Sequence, residues 1–463
     1  MNILEEFRKL FYPKSVAIIG ASNNPLKMGF QCVKSLVESG FQGKIYPVNP
    51  STDKILGLKC YPNILSIPGE VDLAIIVVPV ARILQAFREC ALKGVGGVVI
   101  ITGGFKETGR KEGLKLQEEL KKIADEAGIK VIGPNTFGMV NPHANLNASF
   151  TIPFSYLKKG EVAIVGQSGG VCHILAFQLH DEEIGFSKII GVGNRCNVEF
   201  ADLLEYLAED PETRIIALHI EGVEDARRLM KVAREVVRKK PIIVYKVGME
   251  ESSKAVYSHT GSLAGKSEIY SSAFKQAGMI LVGDCVEFTD TIKAFCFQKP
   301  PKGRRFAIVS KEAGPSIITI DTCIKGGLTL AEFSEKTMRK IEEIVPPYTI
   351  RSNPVDLAFI LADYEKHVEV LKLVLSDENV DSMVYINIYN PELKPPVEEI
   401  SRIAKENDKT VVACLIGFKD IQTLGKKEFE KHRIPTYPTP ERAAKALINL
   451  TKYGEKLRKK VGN

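Results

Sequence analysis

Three times along the chain the same kind of segment opens a new stretch: VAIIGAS from Val16, VAIVGQS from Val162 and FAIVSKE from Phe306. Each is a short β-branched run that ends in small or polar residues and leads into a helix-like segment, which is how a doubly wound α/β domain begins. The starts lie about 145 residues apart, within the usual range for one domain. Between and after them come LAIIVVPV, GVVIIT, SKIIGVGN, RIIALHIEG, PIIVYKVG, SMVYINIY and TVVACLIG. These runs are continuously apolar, as strands buried on both faces of a parallel sheet must be. The predicted fold class is therefore α/β, with three consecutive doubly wound domains at residues 1–142, 150–297 and 303–463. The boundaries fall in the loop-like segments 141–160 and 297–305.

Composition narrows the function classes. The N-terminal MNILEEFRKLFYPKS has no apolar core or small-residue cleavage site, and the longest apolar run, near Ala74–Val80, is too short to span a bilayer. A cytoplasmic protein is expected. Nine cysteines lie far apart without a CxxC pair, so neither a disulfide framework nor a metal site is indicated. The net charge of +7 is spread over helix-like stretches such as GRKEGLKLQEELKKIADEAG, a solvated-face pattern rather than a nucleic-acid surface. The absence of Trp and the excess of Lys and Glu over Gln lean toward a thermophilic source.

After the first strand comes GASNNPLKMG, Gly20 to Gly29, a small-residue turn feeding a helix, where backbone N–H groups can approach a phosphate. It is not the GxGxxG of dinucleotide-binding domains. The second strand, GKIYPVNP, ends in Asn49 where an NAD site would place Asp or Glu for the ribose hydroxyls. Lys27 and Lys44 would instead meet the phosphates of a more highly charged nucleotide. The alternative is a structural glycine turn flanked by surface lysines.

The set GASN…K.G, PVNP, VVPV, IITGGFKE and GPNTFG resembles the CoA-binding domain shared by succinyl-CoA synthetase α subunits and ADP-forming acyl-CoA synthetases. That resemblance implies a Rossmann-like first domain, followed by two flavodoxin-like ones. It places Gly20, Ser22, Lys27, Asn49, Pro79, Gly103 and Asn135 near CoA.

In the second domain, Gln167-Ser168-Gly169-Gly170 end a strand and start a helix, a second anion-binding geometry. Ser258-His259-Thr260-Gly261-Ser262 follow later, their small residues leaving room for a phosphate on the imidazole. His219, in an apolar strand, and His173 and His180, on a helix, read as structural. A nucleophilic imidazole must be neutral and needs an acceptor on its second nitrogen. Glu221, at a strand end, is the candidate, against the alternative of a solvated loop carboxylate. SHTGSLAG resembles the phosphohistidine loop of the same family, HIEG its histidine-orienting carboxylate and GQSGG its phosphate-holding helix start. The resemblance thus implies His259 and Glu221 as catalytic residues and Gln167, Ser168, Gly169 and Gly170 as phosphate ligands. TGSLAGKS, from Thr260, nearly spells a P-loop, but Thr260 stands where glycine is required and the preceding strand ends too early.

The third domain, with SNPVDL, resembles the C-terminal domain of the longer ADP-forming synthetases and is expected to serve subunit packing. No region remains for a triphosphate-binding domain. The resemblance implies a separate ATP-grasp β subunit carrying ADP/ATP with Mg, in an α2β2 assembly. The implied reaction is acyl-CoA + ADP + phosphate ⇌ acid + CoA + ATP, through an acyl phosphate and a phosphohistidine. A non-catalytic CoA-binding or sensing protein of the same fold is the rival reading, disfavoured by the presence of both His259 and Glu221; a dehydrogenase is disfavoured by Asn49.

Overall fold

The computed structural model describes residues 2–248, 267–357 and 360–458. His259, its SHTGS loop and most of the P-loop-like stretch lie outside these residues. The chain divides into two compact units, Met1–Cys285 and Val286–Asn463.

Besides a small antiparallel ribbon of Lys54–Ile55 with Leu58–Lys59, the first unit holds two large sheets. One is built from β1 (Ser15–Ile19), β2 (Lys44–Val48), β3 (Leu73–Ile76), β4 (Gly97–Ile100) and β5 (Lys130–Ile132), in the order β2-β1-β3-β4-β5 and parallel throughout. Val16 pairs with Ile45 on one side and Leu73 on the other. All five residues of β1 are buried, which is why an unbroken apolar run was needed there.

The second sheet holds β6 (Gly138–Asn141), β7 (Leu146–Ser149), β8 (Lys159–Gly166), β9 (Phe186–Gly191), β10 (Ile215–Ile220), β11 (Ile242–Lys246) and β12 (Ile280–Val282), in the order β12-β11-β10-β8-β9-β6-β7. Its five parallel strands repeat the winding of the first sheet. The β6–β7 hairpin is added antiparallel at the edge, Val140 pairing with Ile189. The stretch 141–160, expected to be loop, thus contributes strand β7 and the end of β6. Its polar residues are buried with their bonds made: Asn147 Nδ2 donates locally to Thr151 O (3.0 Å) and Ser155 Oγ (2.8 Å), and Asn141 Nδ2 reaches Phe11 O on the N-terminal helix (2.9 Å). Leu146–Ser149 does alternate apolar and polar residues, but over only four positions, too few to read as a strand.

The two sheets share a core. The N-terminal helix Ile3–Phe11 is capped by Asn2, whose side chain accepts from Leu4 N, with acidic residues in its first turn and basic ones in its last. Its buried Phe11 stacks on Tyr206 of the helix Phe200–Glu209 at a centroid distance of 4.6 Å, and Phe7 meets the same ring tilted, at 5.3 Å. The segment that precedes the first sheet therefore packs on a helix of the second.

The second unit has a third sheet of β13 (Arg305–Ser310), β14 (Thr329–Leu330), β15 (Val355–Asp356), β16 (Ser382–Ile388), β17 (Thr410–Ile416) and β18 (Thr436–Tyr437). Its order is β14-β13-β16-β17-β18, with the short β15 paired to the end of β13. All but the first residue of the helix Cys285–Phe297 fall in this unit. Asp290 accepts two bonds of 2.7 Å from Arg442, and Lys293 donates to Thr436 O at 2.8 Å. These polar helix residues are buried because their partners lie on the third sheet and its last helix. No helix among the described residues is long and apolar enough to cross a membrane.

Candidate active site

Each parallel sheet of the first unit reverses its winding once, between β1 and β3 and between β8 and β10, and the strand ends at such points border a ligand crevice. At the first, Gly20 follows β1 with φ +96°, and a Cβ there would lie 2.8 Å from Val77 O. A Cβ on Gly29 would fall 2.1 Å from Gly20 O, so the start of the helix Met28–Glu38 rests directly on the turn. Lys27 occupies the N-cap without a side-chain capping bond, and the first turn has no acidic residue, which leaves N–H groups available to an anion. Ser22 Oγ accepts from Asn24 N (3.0 Å). Asn49 braces the turn: its Nδ2 donates to Ala21 O at 2.7 Å, and its Oδ1 accepts from Ser51 N at 2.8 Å.

The opposite wall comes from the ends of β3, β4 and β5. Thr102 Oγ1 donates to Val78 O at 2.7 Å. The Glu107 carboxylate accepts from Phe105 N at 3.1 Å and Asn194 Nδ2 at 2.5 Å, and also from Gly104 N. Asn135 adopts φ +61° and donates its N–H to Thr102 O. Gly20, Ser22, Lys27, Asn49, Pro79, Gly103 and Asn135 all line one open cleft of about 1540 Å³, together with Gln167, Ser168, Gly169 and Gly170. That exceeds the ~300–1,000 Å³ of ordinary small-molecule sites and suits a long ligand such as CoA. The glycine turn, Lys27 and Arg82 suit its phosphates, and Asn49, committed to backbone groups, leaves no acid for an NAD ribose.

Ser168 caps the helix Gly169–Asp181 by accepting from Val171 N. Gln167 is placed differently from a phosphate ligand on its carbonyl side: Oε1 accepts from Glu221 N at 2.9 Å and Gly222 N at 3.0 Å. Glu221, just past β10, is buried and lines a recess of about 20 Å³ with Lys106, Asn135, Gln167, Asn194 and Arg195. Asn135 and Gln167 belong to both the recess and the main cleft.

Sequence reasoning missed Lys246 and Arg195. Lys246 ends β11 and donates from Nζ to Glu221 O at 2.9 Å; Arg195 follows β9 at φ +57° and donates from Nη1 to Gly222 O at 3.1 Å. A basic residue closing an apolar strand, as in PIIVYKVG and GVGNRCN, was the available signal. His219 is fully buried, and neither ring nitrogen has a hydrogen-bond partner among the described residues. Burial, reinforced by the Lys246 charge, pulls its pKa to about 4. His173 borders the cleft with both ring nitrogens engaged, by Gly169 O (2.6 Å) and Thr151 Oγ1 (2.7 Å), and its ring stacks on Phe154.

Comparisons with known proteins follow this geometry. Residues 14–142 match the family model described as a CoA binding domain, and residues 159–295 that of a succinyl-CoA ligase like flavodoxin domain. The chain is 44% identical over 449 residues to the α subunit of an ADP-forming acetate–CoA ligase II from Pyrococcus furiosus, covering 95% of this chain and 96% of that one. It is 38% identical to the ADP-forming acetate–CoA ligases II and I of Archaeoglobus fulgidus, spanning 68% and 64% of their lengths. Its fold superposes at a TM-score of 0.89 and 34% identity on a Ca. Korarchaeum cryptofilum acetyl-coenzyme A synthetase 1 in complex with phosphate and ADP, covering 98% of this chain and 99% of that one.

Proposed function

The chain belongs to the ADP-forming acetate–CoA ligases, and from that premise we propose that it is the α subunit of an ADP-forming acyl-CoA synthetase that converts acyl-CoA, ADP and phosphate into acid, CoA and ATP. The observation that carries the reading is the shared wall of the site. Gln167 lines the cleft on one side and holds the Glu221 main chain on the other.

The chemistry then divides among the residues of this chain. The turn from Gly20 to Lys27, with Asn49 as its brace and Pro79, Gly103 and Asn135 opposite, binds acyl-CoA; phosphate attacks the thioester carbon, the C–S bond breaks, and CoA leaves as its thiol while an acyl phosphate forms. The helix start at Ser168, Gly169 and Gly170 offers backbone donors to phosphate, a preorganised positive field of the kind that stabilises phosphoryl transfer. His259 takes the phosphoryl group from the acyl phosphate, and Glu221 accepts from its second ring nitrogen, keeping the attacking nitrogen unprotonated. Gln167 contributes by fixing Glu221 more than by its own ligation.

ADP, with Mg, binds a partner β subunit of the ATP-grasp type in the cytoplasm, and the phosphohistidine carries the phosphoryl group to it. The test is ATP formation from acetyl-CoA, ADP and phosphate, measured with this chain alone and with the co-expressed partner. Turnover only in the pair is expected. Sustained turnover by the lone chain would reject the divided site.

A further inference from the structure

All four main-chain polar groups of Glu221 and Gly222 are held by side chains from other elements. Gln167, beyond β8, takes both N–H groups; Lys246, ending β11, donates to the Glu221 carbonyl; Arg195, beyond β9, donates to the Gly222 carbonyl. Lys246 and Arg195 are each only 3% exposed. A buried irregular strand end does need its backbone satisfied. A cation is a costly way to do that, because desolvating an ammonium or guanidinium is worth several kcal/mol against folding.

The two cations differ in what balances them. Arg195 is matched by Glu199 at 3.1 Å and Glu224 at 3.5 Å. Lys246 instead donates to two carbonyls, those of Glu221 and Val247, and sits 4.6 Å from the Tyr270 ring centroid. Burial lowers its pKa to about 8, and the Glu221 charge opposes that shift. Glu221 is itself 8% exposed, in a recess it shares with Lys106 and Arg195.

We infer that Lys246 is a positioning residue for Glu221, fixing the main chain from which the carboxylate projects. The inference rests on the role proposed above for Glu221 as the orienting partner of the phosphorylated imidazole.

The assay is phosphohistidine formation from labelled ATP in the assembled enzyme, alongside KM for CoA. Lys246→Met should slow labelling by about 10–100-fold, the usual cost of losing a residue that orients a catalytic group, with KM for CoA unchanged. A purely structural lysine would lower the melting temperature but leave the folded enzyme at full rate. Added to Glu221→Gln, Lys246→Met should slow labelling by less than about twofold further, since residues acting through one another are not additive. Should Lys246→Met fail to fold, Lys246→Gln is measured against the same two outcomes. Full-rate labelling by a folded Lys246 variant, or an undiminished penalty on top of Glu221→Gln, overturns the inference while leaving Glu221 in place. Full-rate labelling by Glu221→Gln itself overturns the reading of Glu221 and the inference with it.

Discussion

The side-chain carbonyl of Gln167 accepts the main-chain N–H of Glu221 at 2.9 Å and that of Gly222 at 3.0 Å. One amide thus joins the wall of the main cleft to the main chain that carries the Glu221 carboxylate. Gln167→Leu keeps the approximate shape but orphans two buried donors, each worth about 1–3 kcal/mol when left unmade. A loss of stability of a few kcal/mol is expected by denaturant titration, with phosphohistidine labelling slowed by about 10–100-fold. Unchanged labelling in a destabilised protein would confine Gln167 to a structural part.

Coenzyme selectivity follows from the first turn. Calorimetry on the intact chain should show binding of CoA and none of NAD, because Asn49 is bonded to Ala21 O and Ser51 N and offers no acid to a ribose. Gly29→Ala would push a Cβ to 2.1 Å from Gly20 O and should weaken CoA at least about tenfold, ~1.4 kcal/mol. NAD binding tighter than CoA would contradict the assignment.

Phosphorylation is expected at His259. His259→Asn should abolish acid-labile, base-stable labelling while CoA binding survives, and Glu221→Gln should slow labelling on the order of 10²–10⁴-fold. Retained labelling of the His259→Asn protein would move the phosphoryl group to another residue.

Stability should depend on His219. Its folded pKa, about 4, lies below the ~6.5 of an unfolded imidazole, so between these values the unfolded chain binds more protons. Stability is therefore complete above about pH 6.5 and falls as the pH drops toward 4, by about 3 kcal/mol for the full shift. His367, in the other unit and also lowered to about 4 by burial, follows the same sign. The difference between wild type and His219→Phe isolates the first. Denaturant midpoints at pH 7 and pH 5 should converge for the variant relative to wild type; an identical pH dependence would refute the claim.

Legibility in the sequence was uneven, for reasons visible in particular residues. The β-branched runs before Gly20 and Gln167 announced their strands because burial on both faces demands continuous apolar residues. The small-residue turns announced the cleft because only they allow the close approach seen between Gly29 and Gly20. The hairpin strand Leu146–Ser149 was hidden by its length, four residues being too few for its alternation to stand out from loop. The partners of the buried Asp290 and Lys293 on the helix Cys285–Phe297 were not legible, because Arg442 and Thr436 lie some 150 residues further on.

From the sequence alone came the α/β class, the three repeated openings and the loops that border the cleft, since each depends on local patterns of a few neighbouring residues. Which strand ends meet was decided only by the winding of the sheet. Gln167, Arg195 and Lys246 lie 54, 27 and 25 positions from their partners at Glu221 and Gly222. They converge because β8 and β11 flank β10 while β9 lies one strand further out. Periodicity reports which face of a strand is buried; it carries no record of which strands will lie side by side, and the clamp on Glu221 exists only once they do.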